Sequence, residues 1–283
     1  MEIDRLVQLG SDWAAATPDD PHMIRNYLCR LGLPDDLSDM KATFDLLCQL
    51  QYAHVTRIPY ENLDILLDKP LPVDWPGLYG KIVVGKRGGY CFELNGAFAW
   101  LLRGLGYRVK TCMGRYLRGE QEVPMRRHRV ILAECQDGIF VCDAGVGQVS
   151  PRHPLSLVEG LVQEQFGERY TLVREPFLGW VIYDEHKGSW RRFYSFTEEE
   201  QLDIDFVMPS YYCEHAPDSI FRQGIMMSIK TADGRKTIDG HLFRIFSSEG
   251  VYEEELTDLN RMGEIFREEF LIECDLPLDI MGG

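Results

Sequence analysis

Residues 87–95 read Arg-Gly-Gly-Tyr-Cys-Phe-Glu-Leu-Asn, and an apolar run of helical period begins inside them. Leu94, Phe98, Leu101, Leu102 and Leu105 recur at three- and four-residue spacing, and Gly106 marks the stop. Cys91 therefore sits at or near a helix N-terminus, and the two glycines before it allow a close backbone approach. Unpaired backbone N–H groups and the positive end of the helix dipole favour the thiolate there, and the thiolate is the nucleophile. A thiol so placed is expected below its ordinary pKa of about 8.5. A small, inert core cysteine fits the same segment.

A nucleophilic cysteine needs a base, and the base needs a group that orients it; all three need only meet in space. Seven histidines are present. His22, His153, His186 and His241 lie in polar or turn-like contexts, and His215 has no evident orienter. His54 stands close before Glu61-Asn-Leu-Asp64, and His128 heads the strand-like run His-Arg-Val-Ile-Leu, so both stay in play. The next strand-like run ends at Asp143. A register that sets His128 opposite Asp143 leaves Glu134 to Asp137 as a loop centred on Cys135 and Gln136, with Cβ atoms roughly 5 Å apart. A two-residue turn at Asp137-Gly138 instead sets His128 opposite Gly147. Both registers put His128 and Asp143 on one face of the sheet, because strand side chains alternate with period two.

The elements that must hold these residues change character along the chain. Asp20 caps a helix opened by Pro21, with Met23, Ile24, Tyr27, Leu28 and Leu31 on its apolar side and Gly32 as its stop. A second helix is expected from about Met40 to Ala53, and Pro59 interrupts the period that follows. Residues 65–86, with several prolines and glycines, read as a connecting excursion. From Tyr107 the period becomes two: Arg108–Tyr116, Arg129–Glu134, Ile139–Asp143, Tyr170–Val173, Trp180–Tyr183 and Trp190–Tyr194 are expected strands of an antiparallel sheet or small barrel. Residues 195–223 read as acidic and irregular, with a short helix after Ser219. Ile225–Lys230 and Lys236–Ile245 flank an Asp-Gly turn as a hairpin, and an amphipathic helix spans about Leu256 to Phe270.

The chain has 283 residues and a net charge of −15, which argues against sequence-independent nucleic-acid binding and against anionic membranes. Its eight cysteines show no Cys-x-x-Cys pair and no zinc spacing, so a reducing, cytoplasmic setting with free thiols and no metal is expected. No signal peptide opens the chain, and no window approaches the roughly 20 apolar residues of a membrane span. Gly80-Lys-Ile-Val-Val-Gly-Lys86 imitates a phosphate-binding loop, but Arg87 stands where Ser or Thr would hold Mg²⁺.

Arg87-Gly-Gly-Tyr-Cys-Phe-Glu-Leu-Asn95 resembles the signature of the arylamine N-acetyltransferases. Tyr27-Leu-Cys-Arg-Leu-Gly32, Ile58-Pro-Tyr-Glu-Asn-Leu-Asp64, Asp143-Ala-Gly-Val-Gly147, Pro217-Asp-Ser-Ile-Phe221 and Asp233-Gly-Arg235 resemble further landmarks of that family in the same order. The likeness runs from about residue 21 to 270. It implies an α+β fold: an N-terminal helical region with a cysteine-protease-like start, a central antiparallel β-barrel and a C-terminal α/β lid. The corresponding parts are an extension at 1–20, the helical region at 21–106, the barrel at 107–194, and an interdomain segment with the lid at 195–283.

The resemblance also implies a triad of Cys91, His128 and Asp143. That triad would pass an acetyl group from acetyl-coenzyme A, a donor substrate rather than a resident cofactor, to an aromatic amine or hydrazine by a ping-pong route. Glu61 and Arg87 are then expected as a buried ion pair, and Glu93 and Asn95 as support for the helix start. Arg126, Arg127 and Arg129 form a candidate basic spot for coenzyme A phosphates, and Tyr90 and Val146 are candidates for the acceptor pocket. Two positions depart from the family pattern: Ala144 and Val146 replace a Val and a Phe, and Arg127 precedes His128 where Thr or Ser is common. Within the fold the rivals are an amide synthase that releases a carrier-bound acyl chain, a cysteine hydrolase, and a catalytically silent scaffold.

Overall fold

The computed structural model describes residues 20–38 and 40–274. All but the last residue of the expected N-terminal extension, and the tail from 275 to 283, lie outside the described residues. Helix α1, Pro21–Arg30, is capped by Asp20, whose carboxylate accepts from His22 N at 2.8 Å; Ile24, Tyr27 and Leu28 face inward. Helix α2 runs Phe44–Arg57, about four residues later than periodicity suggested. Thr43 caps it, its hydroxyl accepting from Leu46 N at 3.3 Å, and Pro59 disfavours helical geometry at the residue before it, Ile58. Helix α3, Cys91–Gly104, is buried from Cys91 to Leu102, since α1, the 75–84 excursion and the barrel each cover part of it. That excursion is itself ordered, as a turn of helix at Trp75–Leu78 and a π-helical turn at Tyr79–Val84. Trp75 stacks on Trp100 of α3 with ring centroids 3.3 Å apart.

His54 belongs to this helical core. It is fully buried, bonded to the Tyr27 hydroxyl at 2.9 Å and packed on Phe98, and burial, with Arg30 nearby, pushes its imidazole down to about 3. In the unfolded chain it titrates near 6.5. Between those values the unfolded chain holds a proton that the folded chain lacks. Its contribution is therefore complete above about pH 6.5 and falls by about 1.4 kcal/mol per pH unit below it. His54→Gln is expected to flatten that slope in urea unfolding between pH 6.5 and 4; an equal slope in both proteins would remove His54 as its source.

Seven antiparallel pairings join eight strands in the order β5-β4-β3-β2-β9-β8-β7-β6. They are β2 Arg108–Tyr116, β3 His128–Cys135, β4 Gly138–Cys142, β5 Leu155–Ser156, β6 Gln163–Gln165, β7 Glu168–Glu175, β8 Gly179–His186 and β9 Ser189–Glu200. The two edges meet through side chains. Gln163 accepts from Ser156 N at 2.7 Å and donates to Ser156 O at 3.1 Å, and Gln165 does the same for His153 at 2.6 and 2.9 Å. Glutamine amides thus stand in for a backbone ladder and nearly close the sheet into a barrel, so that neither edge is left bare. Val130, Leu132, Leu172, Ile182, Tyr194 and Phe196 are among the residues that fill it.

The β3–β4 hairpin has neither expected register. Cys135 pairs with Gly138 and Ile131 with Cys142, so the turn is Gln136-Asp137. His128 lies two residues along β3 from the place opposite Asp143. Asp137 sits in the turn because its carboxylate accepts from Phe44 N at 2.9 Å at the start of α2, where helix N–H groups lack partners. Phe140 stacks on Phe44 beside it, centroids 4.4 Å apart.

A second, five-stranded antiparallel sheet has the order β1-β10-β11-β12-β13. Its strands are β1 Tyr60–Glu61, β10 Met226–Lys230, β11 Arg235–Asp239, β12 Leu242–Ser247 and β13 Gly250–Glu255. The single strand expected over Lys236–Ile245 is two, divided at Gly240-His241, where Gly240 takes φ +62°. Helix α4, Val207–His215, was not foreseen; its apolar side is short and its first turn is mostly exposed. Helix α5, Leu259–Glu269, buries Met262, Ile265 and Phe266 against this sheet. No helix among the described residues is long and apolar enough to cross a membrane.

Candidate active site

Cys91 is the first residue of α3. Glu93 accepts from Tyr90 N at 3.1 Å, which satisfies a donor just before the helix. The same carboxylate meets Lys81 at 2.7 Å; Lys81 meets Asp64 at 2.8 Å; Arg87 bridges Asp64 at 3.1 Å and Glu61 at 2.7 Å. Charges alternate through this buried chain, so each ion is compensated. It fixes the loop that delivers Cys91 and includes the expected Glu61–Arg87 pair. Gly88 has no room for a side chain, since a Cβ there would lie 2.2 Å from the Pro59 carbonyl oxygen.

The thiol is buried, 4% exposed, and its sulfur lies 3.7 Å from the Arg127 carbonyl oxygen. Burial pushes an isolated Cys91 thiol well above its ordinary range, and Cys213 and Asp143 push the same way; the backbone N–H groups of Arg129 and Phe92 oppose them. The helix start does not by itself yield a thiolate here, because desolvation outweighs the partial charge at the helix end. Ionising this thiol would require a proton acceptor beside the sulfur.

His128 is the candidate for that acceptor. Its Nε2 lies 2.6 Å from Asp143 Oδ2, both residues are buried, and His128 and Cys91 line the same cavity. With Nε2 committed to Asp143, Nδ1 is the imidazole nitrogen that remains. Asp143 is itself fixed: Oδ1 accepts from Asn95 Nδ2 at 2.8 Å and from Gly145 N at 2.9 Å, and its own N–H donates to Gln51 Oε1 at 3.1 Å. Asn95 also donates to Arg129 O at 2.6 Å and accepts from Ala144 N at 2.9 Å. It therefore joins α3, β3 and the 143–147 loop, a larger task than the helix support expected of it. Gln51 was not anticipated at all; a glutamine on the inner face of a helix carries no local signal of its partner.

The 143–147 loop lies directly on Cys91. A Cβ at Gly145 would stand 2.9 Å from Cys91 Cα and 3.1 Å from both Cys91 O and Asn95 Nδ2. Gly145→Ala must displace backbone, and displacement of about 1 Å near reacting groups costs on the order of a hundredfold. Loss of acyl-cysteine formation by about that factor, with an unchanged circular dichroism spectrum, is expected; an unchanged rate would show that the loop yields without moving Cys91.

The cavity holds about 400 Å³. One wall is Cys91, His128 and the loop from Gly145 to Val149; the opposite wall comes from β10, β11 and β12, with Met226, Ser228, Thr237, Asp239, Arg244 and Phe246. None of that second wall was proposed from the sequence. Of the two candidates for the acceptor pocket, Val146 lines the cavity and Tyr90 does not. It is fully buried, its hydroxyl 2.6 Å from Ser210 Oγ and its ring edge-on to Phe92 and Phe221; Tyr60 lines the cavity instead. The three-arginine spot also divides. Arg127 lines the cavity and Arg126 lies at the surface, 3.9 Å from Glu199. Arg129 is fully buried, paired with Asp203 and stacked over Phe206 at 4.4 Å, so it is unavailable to a phosphate. Arg118 and Arg244, neither of them proposed, are the other cations of the cavity wall.

Residues 43–278 match the model of the family described as N-acetyltransferase. The arylamine N-acetyltransferase of Escherichia coli (strain K12) is 33% identical over 234 residues, covering 82% of this chain and 83% of that protein. The solved arylamine N-acetyltransferase of Salmonella typhimurium superposes with a TM-score of 0.84 at 28% identity, covering 90% of this chain and 93% of that one. The Mycobacterium marinum enzyme, solved in complex with CoA, gives a TM-score of 0.80 at 30% identity, covering 88% and 92%.

Proposed function

This chain belongs to the arylamine N-acetyltransferase family, and from that premise we propose that Cys91, His128 and Asp143 carry an acetyl group from acetyl-coenzyme A to an aromatic amine or hydrazine. One observation carries it: a helix-terminal thiol shares a cavity with an imidazole whose far nitrogen is held by a carboxylate at 2.6 Å. His128 takes the Cys91 proton, and Asp143 stabilises the imidazolium and fixes its orientation. The thiolate attacks the thioester carbonyl, and the Cys91 backbone N–H, at a helix start where such donors lack intrahelical partners, is the candidate donor to the oxyanion. Collapse breaks the bond to coenzyme A, which departs with the proton from His128. The amine then attacks the acetyl-cysteine, His128 accepts its proton, and the C–S bond breaks to restore the ion pair.

Mass spectrometry tests this directly. Acetyl-coenzyme A is expected to add one acetyl group to Cys91, and an arylamine is expected to remove it as the amide. Discharge by water alone would indicate a hydrolase, and no acetylation at all would favour the amide synthase or the scaffold.

Val146 should shape acceptor choice, since it stands in the loop that covers Cys91 and leaves one side of the cavity without an aromatic surface. One aromatic contact is worth about 0.5–1.5 kcal/mol beyond its buried area. Val146→Phe is expected to favour small flat arylamines by about threefold to tenfold while Cys91 acetylation stays constant. An unchanged ranking across a panel of amines and hydrazines would remove position 146 from the pocket.

A further inference from the structure

The wall of the cavity opposite Cys91 carries a row of hydroxyls that the triad does not use. Tyr60 pairs with Ser228 across β1 and β10, Ser228 with Thr237 across β10 and β11, and Thr237 with Arg244 across β11 and β12. Residues paired directly across strands share a face. Met227, Ile229, Ile238 and Phe243 take the other face, in the core packed against α5, so this row points into the cavity, which all four of its members line. Strands lie roughly 5 Å apart, so the three hydroxyl-bearing positions span about 10 Å of the wall. The row starts beside the loop that covers Cys91: a Cβ at Gly147 would stand 3.5 Å from Tyr60 Cγ and 3.6 Å from Ser228 Oγ. Among the described residues, none of the three hydroxyls has a hydrogen-bond partner, and none is sealed from the cavity.

We propose that Tyr60, Ser228 and Thr237 form a specificity strip: their hydroxyls select, among aromatic amines, those that carry a neutral hydrogen-bonding group on the ring opposite the amine. The proposal rests on the acetyl-transfer reading above. In the second half-reaction the amine must reach the acetyl group on Cys91, and its ring then extends along this wall, over Ser228 and Thr237. An apolar substituent there displaces water from the hydroxyls and offers no bond in return, which is costly in an enclosed site. A hydroxyl or amide substituent replaces that water. A site built to bond such a group discriminates against the analogue that lacks it.

The charges of the cavity favour a neutral group. Each arginine of its wall already faces an acid: Arg118 meets Asp184 at 2.8 Å, Arg127 meets Glu120 at 3.7 Å and Arg244 meets Glu253 at 2.7 Å. Asp239 lies two residues along β11 from Thr237 and lines the same cavity without an ion pair among the described residues. A carboxylate on the strip meets that charge uncompensated, whereas a hydroxyl or amide does not.

The test starts from acetyl-enzyme freed of excess donor, so that donor binding does not enter. Transfer is followed to para-aminobenzyl alcohol and to para-ethylaniline, which match in size and differ by a hydroxyl in place of a methyl. The unaltered protein is expected to favour the alcohol by about tenfold in second-order rate. Ser228→Ala combined with Thr237→Val should bring that ratio to within about twofold, chiefly by slowing the alcohol. Tyr60→Phe keeps the ring and should lower the ratio in the same direction, so the test survives a double variant that does not fold. A merely structural loss slows both amines equally and leaves the ratio in place; that result overturns the proposal, as does an unaltered protein that does not prefer the alcohol. The carboxylate probe para-aminobenzoate should be slower than the alcohol, and a faster rate overturns the neutral assignment. Slower Cys91 acetylation by acetyl-coenzyme A with an unmoved ratio gives the row to the donor and overturns the strip as well. No acetyl-enzyme in the unaltered protein removes the acetyl-transfer reading and this proposal with it.

Discussion

His128→Gln is expected to silence Cys91 near neutral pH. Burial, Cys213 and Asp143 all raise the isolated thiol, and the backbone N–H groups on the sulfur do not outweigh them. Under the proposed triad, whatever thiolate exists at pH 7 then depends on His128 beside it. Iodoacetamide should alkylate Cys91 of the unaltered protein down to mildly acidic pH. In His128→Gln the rate at pH 7 should fall by about a hundredfold or more and recover only in alkali, because only the thiolate reacts. Acetylation by acetyl-coenzyme A should be lost in parallel. Equal alkylation profiles in the two proteins would falsify the ion pair and leave the helix terminus as the sole activator.

Asp143→Asn is expected to lower acetyl transfer by about 10³–10⁴-fold with little change in fold, the scale on which an uncharged orienter fails to stabilise an imidazolium and permits the wrong tautomer. The surroundings of Asp143 allow a graded comparison. Asn95→Leu removes a donor to Asp143 Oδ1 and an acceptor for Ala144 N at once, leaving buried groups unpaired. It should cost both stability and activity, whereas Asp143→Asn should cost mainly activity. Steady-state transfer rates alongside urea unfolding separate the two. An Asp143→Asn protein within tenfold of the unaltered rate would show that His128 does not depend on a charged partner.

Much of the site was legible in the amino-acid sequence alone. The placement of Cys91 at a helix start follows from a glycine pair and a helical period, both within one short stretch. Helices and caps are local, so local spacing reports them. The shared face of His128 and Asp143 was legible for a different reason. Strand parity is unchanged by a slip of two residues, so the relation held although both expected registers failed. The register that is observed goes with a contact elsewhere, the Asp137 carboxylate accepting from Phe44 N at the start of α2.

By its own spacing, then, the sequence determined the helix-borne thiol, the face shared by His128 and Asp143, and most strands of the barrel. Tertiary structure alone decided which of several arginines meets the cavity. Arg127 does, while Arg129 is taken by Asp203 and Phe206, partners more than 70 residues away. It also decided that β10–β12 supply the far wall and that Gln51 and Asn95 hold the Asp143 loop. Each of those contacts joins segments far apart in the chain. Their pairing depends on how whole elements pack, and no short spacing encodes it, because side-chain periodicity states which face a residue takes and not what lies against that face.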